Sequence, residues 1–192
     1  MQAFLIATGL VALAEIGDKT QLLAFMLAAR FRRPWPIVAG IFVATVLNHA
    51  AAGALGSWLT GLISPTALRW GLGLSFIAMA GWMLIPDKLD ADDTPKPGHG
   101  VFVTTVIAFF LAEMGDKTQI ATVALAARYP LDFIGVVAGT TAGMMLANVP
   151  AVLVGDKLSQ KLPVKLVHRV AAVIFAVLGV VTLVAGGALL GG

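Results

Sequence analysis

The stretch Ala14-Glu15-Ile16-Gly17-Asp18-Lys19-Thr20-Gln21 recurs as Ala112-Glu113-Met114-Gly115-Asp116-Lys117-Thr118-Gln119, an offset of 98 residues. Each copy sets three charged side chains in strongly apolar surroundings. Working outward, Ala28-Ala29-Arg30 recurs at the same offset as Ala126-Ala127-Arg128. Beyond that the register drifts slightly: Gly40 is answered by Gly139, Asn48 by Asn148 and Arg69 by Arg169. A repeat of this length sets the architecture before any other signal does.

The 192 residues are 59% hydrophobic and only 12% charged, with no cysteine. A soluble domain carries about 45–50% apolar and roughly 25% charged residues. That comparison excludes an ordinary soluble globule and a disordered chain. The lack of cysteine excludes disulfides and thiolate chemistry. A formal charge of +3, scattered along the chain, gives no reason to expect a nucleic-acid partner. Met1-Gln2-Ala3 supplies no basic n-region, and charges interrupt the apolar stretch behind it, so the N-terminus is expected to be mature.

A membrane-crossing helix needs about 20 mostly apolar residues. Reading between proline, glycine and charge gives six spans: Gln2–Ala29, Trp35–Ile63, Ala67–Ile85, Val101–Ala127, Leu131–Val154 and Val164–Leu190. The stretch 86–100, PDKLDADDTPKPGHG, reads as a solvated acidic linker. It divides a first three-helix repeat, 1–85, from a second, 101–192. Three is odd, so the second repeat enters the membrane from the opposite side. The fold class expected is an all-α membrane protein of six transmembrane helices, arranged as two inverted three-helix repeats in the lipid bilayer.

Loops one, three and five carry Arg30, Arg32, Arg33, Lys88, Lys96, Lys157, Lys161, Lys165 and Arg169, against Arg69 and Arg128 on the other side. The positive-inside rule places those loops in the cytoplasm and both termini outside, in the cell (inner) membrane. Trp35, Trp58, Trp70 and Tyr129 fall near span ends, as an aromatic belt does.

Six charges lie inside the expected spans: Glu15, Asp18, Lys19, Glu113, Asp116 and Lys117. Each costs about 2.5–3.5 kcal/mol at the bilayer centre, so six unsupported ones would approach a domain's whole stability of about 5–15 kcal/mol. Pairing each Glu with its own Lys at i+4 leaves both aspartates unexplained. On a continuous helix Glu15 and Asp18 share a face, which Gln21 continues, and the second copy repeats this with Glu113, Asp116 and Gln119. Gly17 and Gly115 permit close backbone approach or a local break. Brought together by the repeat, four carboxylates with amide and hydroxyl oxygens form a hard, all-oxygen environment that suits Ca²⁺, Mg²⁺ or Mn²⁺. Crowded carboxylates cannot all ionise at once, so metal and protons compete for one site.

The doubled Glu-x-Gly-Asp-Lys-Thr-Gln resembles the signature of the Gdt-type cation/proton exchangers of the LysE superfamily, Glu-x-Gly-Asp-(Lys/Arg)-(Thr/Ser). The resemblance spans nearly the whole chain. It implies transport of Mn²⁺ and/or Ca²⁺ against protons, with bacterial members exporting manganese, and no resident cofactor. It makes Glu15, Asp18, Glu113 and Asp116 the metal-site candidates, with Thr20, Gln21, Thr118 and Gln119 beside them.

Asn48 and Asn148, mid-span and equivalent, supply either amide oxygens to the metal or hydrogen bonds between helices. His49 has Val149 as its counterpart and reads as a packing residue rather than a ligand. Asp87, Asp90, Asp92 and Asp93 read as linker, without the spacing of an EF-hand. Pro150 is expected to kink the fifth span, and Thr140 and Thr141 to bond the preceding turn. The nearer rival is a LysE-like exporter of a cationic small molecule; a passive cation channel is another. An intramembrane aspartyl protease, with two aspartates sharing a proton, fits poorly, because Pro-Ala-Leu is missing and the glutamates go unexplained. The expectation is a transporter and not an enzyme.

Overall fold

The computed structural model describes residues 1–85, 100–154 and 164–189, with side chains up to Val184. The acidic linker at 86–99, with its four aspartates, and Lys157 and Lys161 lie outside the described residues. Among those described, eight helices run in order: α1 (Gln2–Glu15), α2 (Lys19–Phe31), α3 (Pro34–Leu62), α4 (Pro65–Trp82), α5 (Val101–Glu113), α6 (Lys117–Arg128), α7 (Phe133–Val154) and α8 (Val164–Leu189). No strand occurs among them.

Two of the six expected spans are broken. The first divides into α1 and α2 at Ile16-Gly17-Asp18, and the fourth into α5 and α6 at Met114-Gly115-Asp116. The cause is local. Gly17 adopts φ +83° and Gly115 φ +74°, a left-handed conformation that costs other residues roughly 1–2 kcal/mol. The flanking residues match as well: Ile16 and Met114 are extended (ψ 112° and 121°), and Asp18 and Asp116 both have ψ 167°. The sequence repeat is therefore a repeat of backbone conformation.

The other helices keep close to their expected limits. Pro34 opens α3 and Pro65 opens α4, each where a missing N–H costs nothing. Ser64 caps α4 by accepting a hydrogen bond from the Ala67 N–H at 3.3 Å. Helix α7 continues through Pro150 as one element, and Thr140 Oγ1 donates to the Val137 carbonyl at 3.1 Å. Among the described residues, three helices are long and apolar enough to cross a membrane: Pro34–Leu62, Phe133–Val154 and Val164–Val184.

The two halves interleave. Helix α3 packs on α5 and α6, whereas α7 packs on α1 and α2, and α4 lies against α8. Equivalent glycines make equivalent approaches. A Cβ on Gly40 would stand 3.0 Å from the Phe102 carbonyl of α5, and one on Gly139 would stand 2.5 Å from the Phe4 carbonyl of α1. Small residues that let backbones meet are how helices associate where water supplies no driving force. Gly139→Val is therefore expected to separate α7 from α1 and destabilise the protein by about 1–3 kcal/mol, the usual cost of overpacking. Gly9→Ala, with nothing within 4 Å of its new Cβ, is the control expected to hold or raise the melting temperature in detergent. An unchanged melt for Gly139→Val would refute the close contact.

Burial is inverted relative to a soluble fold. Glu15, Asp18, Gln21, Asn48, His49, Glu113, Asp116, Lys117 and Asn148 are buried, while Leu5, Phe42, Leu47, Trp58, Leu111, Leu146 and Val173 are exposed. An apolar exterior of this extent is a surface for lipid.

Candidate cation site at two helix breaks

Breaking a helix exposes what its interior would hide. Glu15 is the last residue of α1 and Asp18 the N-cap of α2; Glu113 and Asp116 hold the same places at the second break. The continuous helix face expected for Glu15, Asp18 and Gln21 therefore does not form, since helical phase is lost at Gly17. What forms instead is two short loops, brought together by the crossed packing of the halves.

Glu15, Glu113 and Asp116 each offer a carboxylate oxygen within 4.8 Å of the other two, and all three residues are buried. Asp18 is not one of this group. Its Oδ1 lies 3.0 Å from Lys117 Nζ, and both side chains are only 1% exposed. In the matching position Lys19 Nζ stands 3.6 Å from Asp116 Oδ1, with Lys19 20% exposed. Each lysine thus meets the aspartate of the other copy.

Hydroxyls and amides hold the carboxylates. Thr20 Oγ1 donates to Glu15 Oε2, and Thr118 Oγ1 donates to Glu113 Oε2 at 2.9 Å. Gln21 Oε1 accepts from the Gly17 N–H at 2.9 Å, and Gln119 Oε1 from the Gly115 N–H at 2.7 Å. The glutamines therefore brace the glycine turns and do not turn their oxygens to the carboxylates. Their amide nitrogens tie the breaks to the long helices: Gln21 Nε2 donates to the Ala147 carbonyl of α7 at 3.1 Å, and Gln119 Nε2 to Asn48 Oδ1 of α3 at 3.2 Å.

The two asparagines part company. Asn148 Nδ2 donates to Glu15 Oε2 at 3.4 Å, reaching the carboxylate group directly. Asn48 donates to the Phe110 carbonyl at 3.1 Å and acts as a brace. Its neighbour His49 is fully buried, with Nε2 4.0 Å from Glu113 Oε2. Buried oxygens without a hydrogen-bond partner among the described residues include Glu15 Oε1, Glu113 Oε1 and Asn148 Oδ1. Such orphans are rare inside proteins, and a cluster of them around three carboxylates has the chemistry of a cation-binding shell.

The breaks differ in cover. A Cβ on Gly17 would clash with the Val164 side chain of α8, whereas nothing lies within 4 Å of one on Gly115. His168 Nε2 donates to the Ile16 carbonyl at 2.7 Å, while Met114, the counterpart of Ile16, is 56% exposed. His168 went unnoticed in the sequence because it lies outside both motifs and its partner is a backbone atom 152 residues away.

A family model described as "Divalent cation/proton antiporter GDT1" matches residues 3–91 and 101–188. The chain is 50% identical over 182 residues to a Vibrio cholerae protein named "Putative manganese exporter", covering 95% of this chain and 90% of that one. It is 30% identical over 202 residues to a GDT1-like protein of Synechocystis, covering 95% and 97%. It is 29% identical over 222 residues to GDT1-like protein 5 of Arabidopsis thaliana, covering 95% and 96%. No solved structure matches.

Proposed function

This chain belongs to the GDT1 family, and from that premise we propose that it exports Mn²⁺ from the cytoplasm in exchange for protons, with Ca²⁺ as the second candidate ion. The observation that carries the reading is the buried group of Glu15, Glu113 and Asp116, drawn from both motifs and enclosed by a lipid-compatible exterior. Three ionised carboxylates so close repel one another. A divalent cation relieves that repulsion, and so do protons. Because both occupy the same oxygens, arrival of one releases the other, which is the coupling an exchanger needs.

The proposed architecture is the six-span inverted repeat, with α1–α2 and α5–α6 each serving as one broken span and 86–100 as the linker between halves. Its supports are the matched backbone at the two breaks, the crossed packing and the positive charge of loops one, three and five. The loop charge supports a topology with both termini outside the inner membrane. Broken helices meeting at the midplane are a recurrent way to build an ion site between inverted repeats.

The unequal cover of the breaks supplies the alternation. Here Asp116 joins the carboxylate group while Asp18 is held by Lys117. Exchanging the roles of the halves would bring Asp18 to the glutamates and lock Asp116 onto Lys19. In both states the lysines offset charge as the ion comes and goes. Membership of a transporter family weighs against the protease reading.

The test is purified protein in liposomes with a metal-sensitive dye inside and an imposed pH gradient. Mn²⁺ is expected to move uphill as protons run down, with Ca²⁺ and excess lysine run in parallel. Failure of folded protein to move either ion would overturn the proposal, and inhibition by lysine alone would point to a cationic small molecule. Movement that only follows the metal's own gradient would indicate a channel.

A further inference from the structure

We infer that His168 is a positioning residue of the exchange cycle: its imidazole latches α8 onto the first helix break, and the latch must release before Asp18 can join the glutamates. This rests on the proposed alternation of the halves and deepens it. The bond answers a need created by the break. Helix α1 ends at Glu15 with Ile16 as its C-cap, and carbonyls at such an end have no N–H further along the helix. His168 Nε2 donates to the Ile16 carbonyl at 2.7 Å. The imidazole is 8% exposed, so water competes little for that bond. Val164, four residues earlier on the same face of α8, stands where a Cβ on Gly17 would clash. One face of α8 therefore covers the break with a polar contact and an apolar one.

The first half carries no equivalent donor. Arg69 answers Arg169, which places Leu68 where His168 stands, and leucine has no side-chain N–H to give. The packing is unequal in the same sense. Helix α8 packs on α1, the limb that ends at the first break, whereas α4 packs on α6, the limb beyond the second. Met114, the counterpart of Ile16, is exposed, and a Cβ on Gly115 would meet nothing within 4 Å. The latch thus favours the state in which the first break is covered and Asp116 joins the glutamates. Removing one neutral hydrogen bond shifts such a two-state equilibrium about 3- to 10-fold.

The chain has no cysteine, so single cysteines report each break separately. Ile16→Cys marks the first and Met114→Cys the second, and neither change touches a backbone carbonyl. The test labels the full chain, metal-free in nanodiscs, with a water-soluble maleimide. Met114→Cys is expected to react faster than Ile16→Cys, and the reverse order would overturn the unequal cover on which the latch rests. Adding His168→Leu is expected to raise the Ile16→Cys rate about 3- to 10-fold and to leave Met114→Cys within about twofold. His168→Gln, whose amide can still donate, is expected to restore both rates to those of the chain with His168. Equal rises at both cysteines would mean general loosening and overturn the inference, as would no change at Ile16→Cys. A rise in His168→Gln as large as in His168→Leu would overturn donation to Ile16 as the cause. Should His168→Leu fail to fold, His168→Asn takes its place, because its amide is one bond shorter than that of glutamine and stops short of the carbonyl. Labelling needs no transported ion, so failure of the latch and failure of Mn²⁺ exchange are read separately.

Discussion

Glu113→Gln is expected to abolish cation transport while leaving the protein folded. Glutamine keeps the shape of the side chain, and its amide oxygen can still accept from Thr118, which bonds Glu113 Oε2 at 2.9 Å. What it loses is one full negative charge out of the three that meet within 4.8 Å. Changing a residue that only supports a metal ligand costs about 10–100-fold in affinity, so losing the charge of a proposed ligand in a dry site is expected to exceed about 100-fold. Glu15→Gln is expected to behave alike, because Thr20 and Asn148 donate to the oxygen that an amide retains. The measurement is liposome transport at saturating Mn²⁺, with the melting temperature in detergent confirming the fold. Full activity in either variant would remove that glutamate from the site.

Lys117→Met is expected to be the most destabilising single change among the motif residues. Lys117 and Asp18 are each 1% exposed and 3.0 Å apart. Removing one partner of a buried pair leaves an uncompensated charge and costs about 3–5 kcal/mol, whereas replacing both is often neutral. The double change Lys117→Met with Asp18→Asn should therefore recover most of the lost stability, though not the transport in which Asp18 is proposed to take the ion in the alternate state. Lys19→Met is the graded comparison. At 3.6 Å from Asp116 and 20% exposed, that pair resembles a partly solvated one, for which about 1 kcal/mol or less is expected. Unfolding in detergent measures all three, and a wild-type melt for Lys117→Met would contradict the pairing.

Much of this protein is readable along the chain. Apolar length, proline and glycine locate α3, α7 and α8 to within about two residues, because the signals that start and stop a helix are local. The doubled motif names Glu15, Asp18, Glu113 and Asp116, of which the structure groups Glu15, Glu113 and Asp116, since a charge in an apolar segment is costly enough to need a purpose wherever it is found. An offset of 98 also reveals that two segments are equivalent.

Equivalence does not say which residues touch. Only the tertiary structure decides that Lys117 meets Asp18 and Lys19 meets Asp116, because those pairs arise from α3 crossing α5–α6 and α7 crossing α1–α2 at the close contacts of Gly40 and Gly139. Counting helical phase from Glu15 to Asp18 fails for a related reason. Phase accumulates only along a continuous helix, and a left-handed glycine resets it. His49 and His168 carry no motif, so nothing in their sequence neighbourhood distinguishes a packing residue from one aimed at a carboxylate or a freed carbonyl. Their significance lies in atoms 64 and 152 residues away, brought near by packing between helices, which no local pattern encodes.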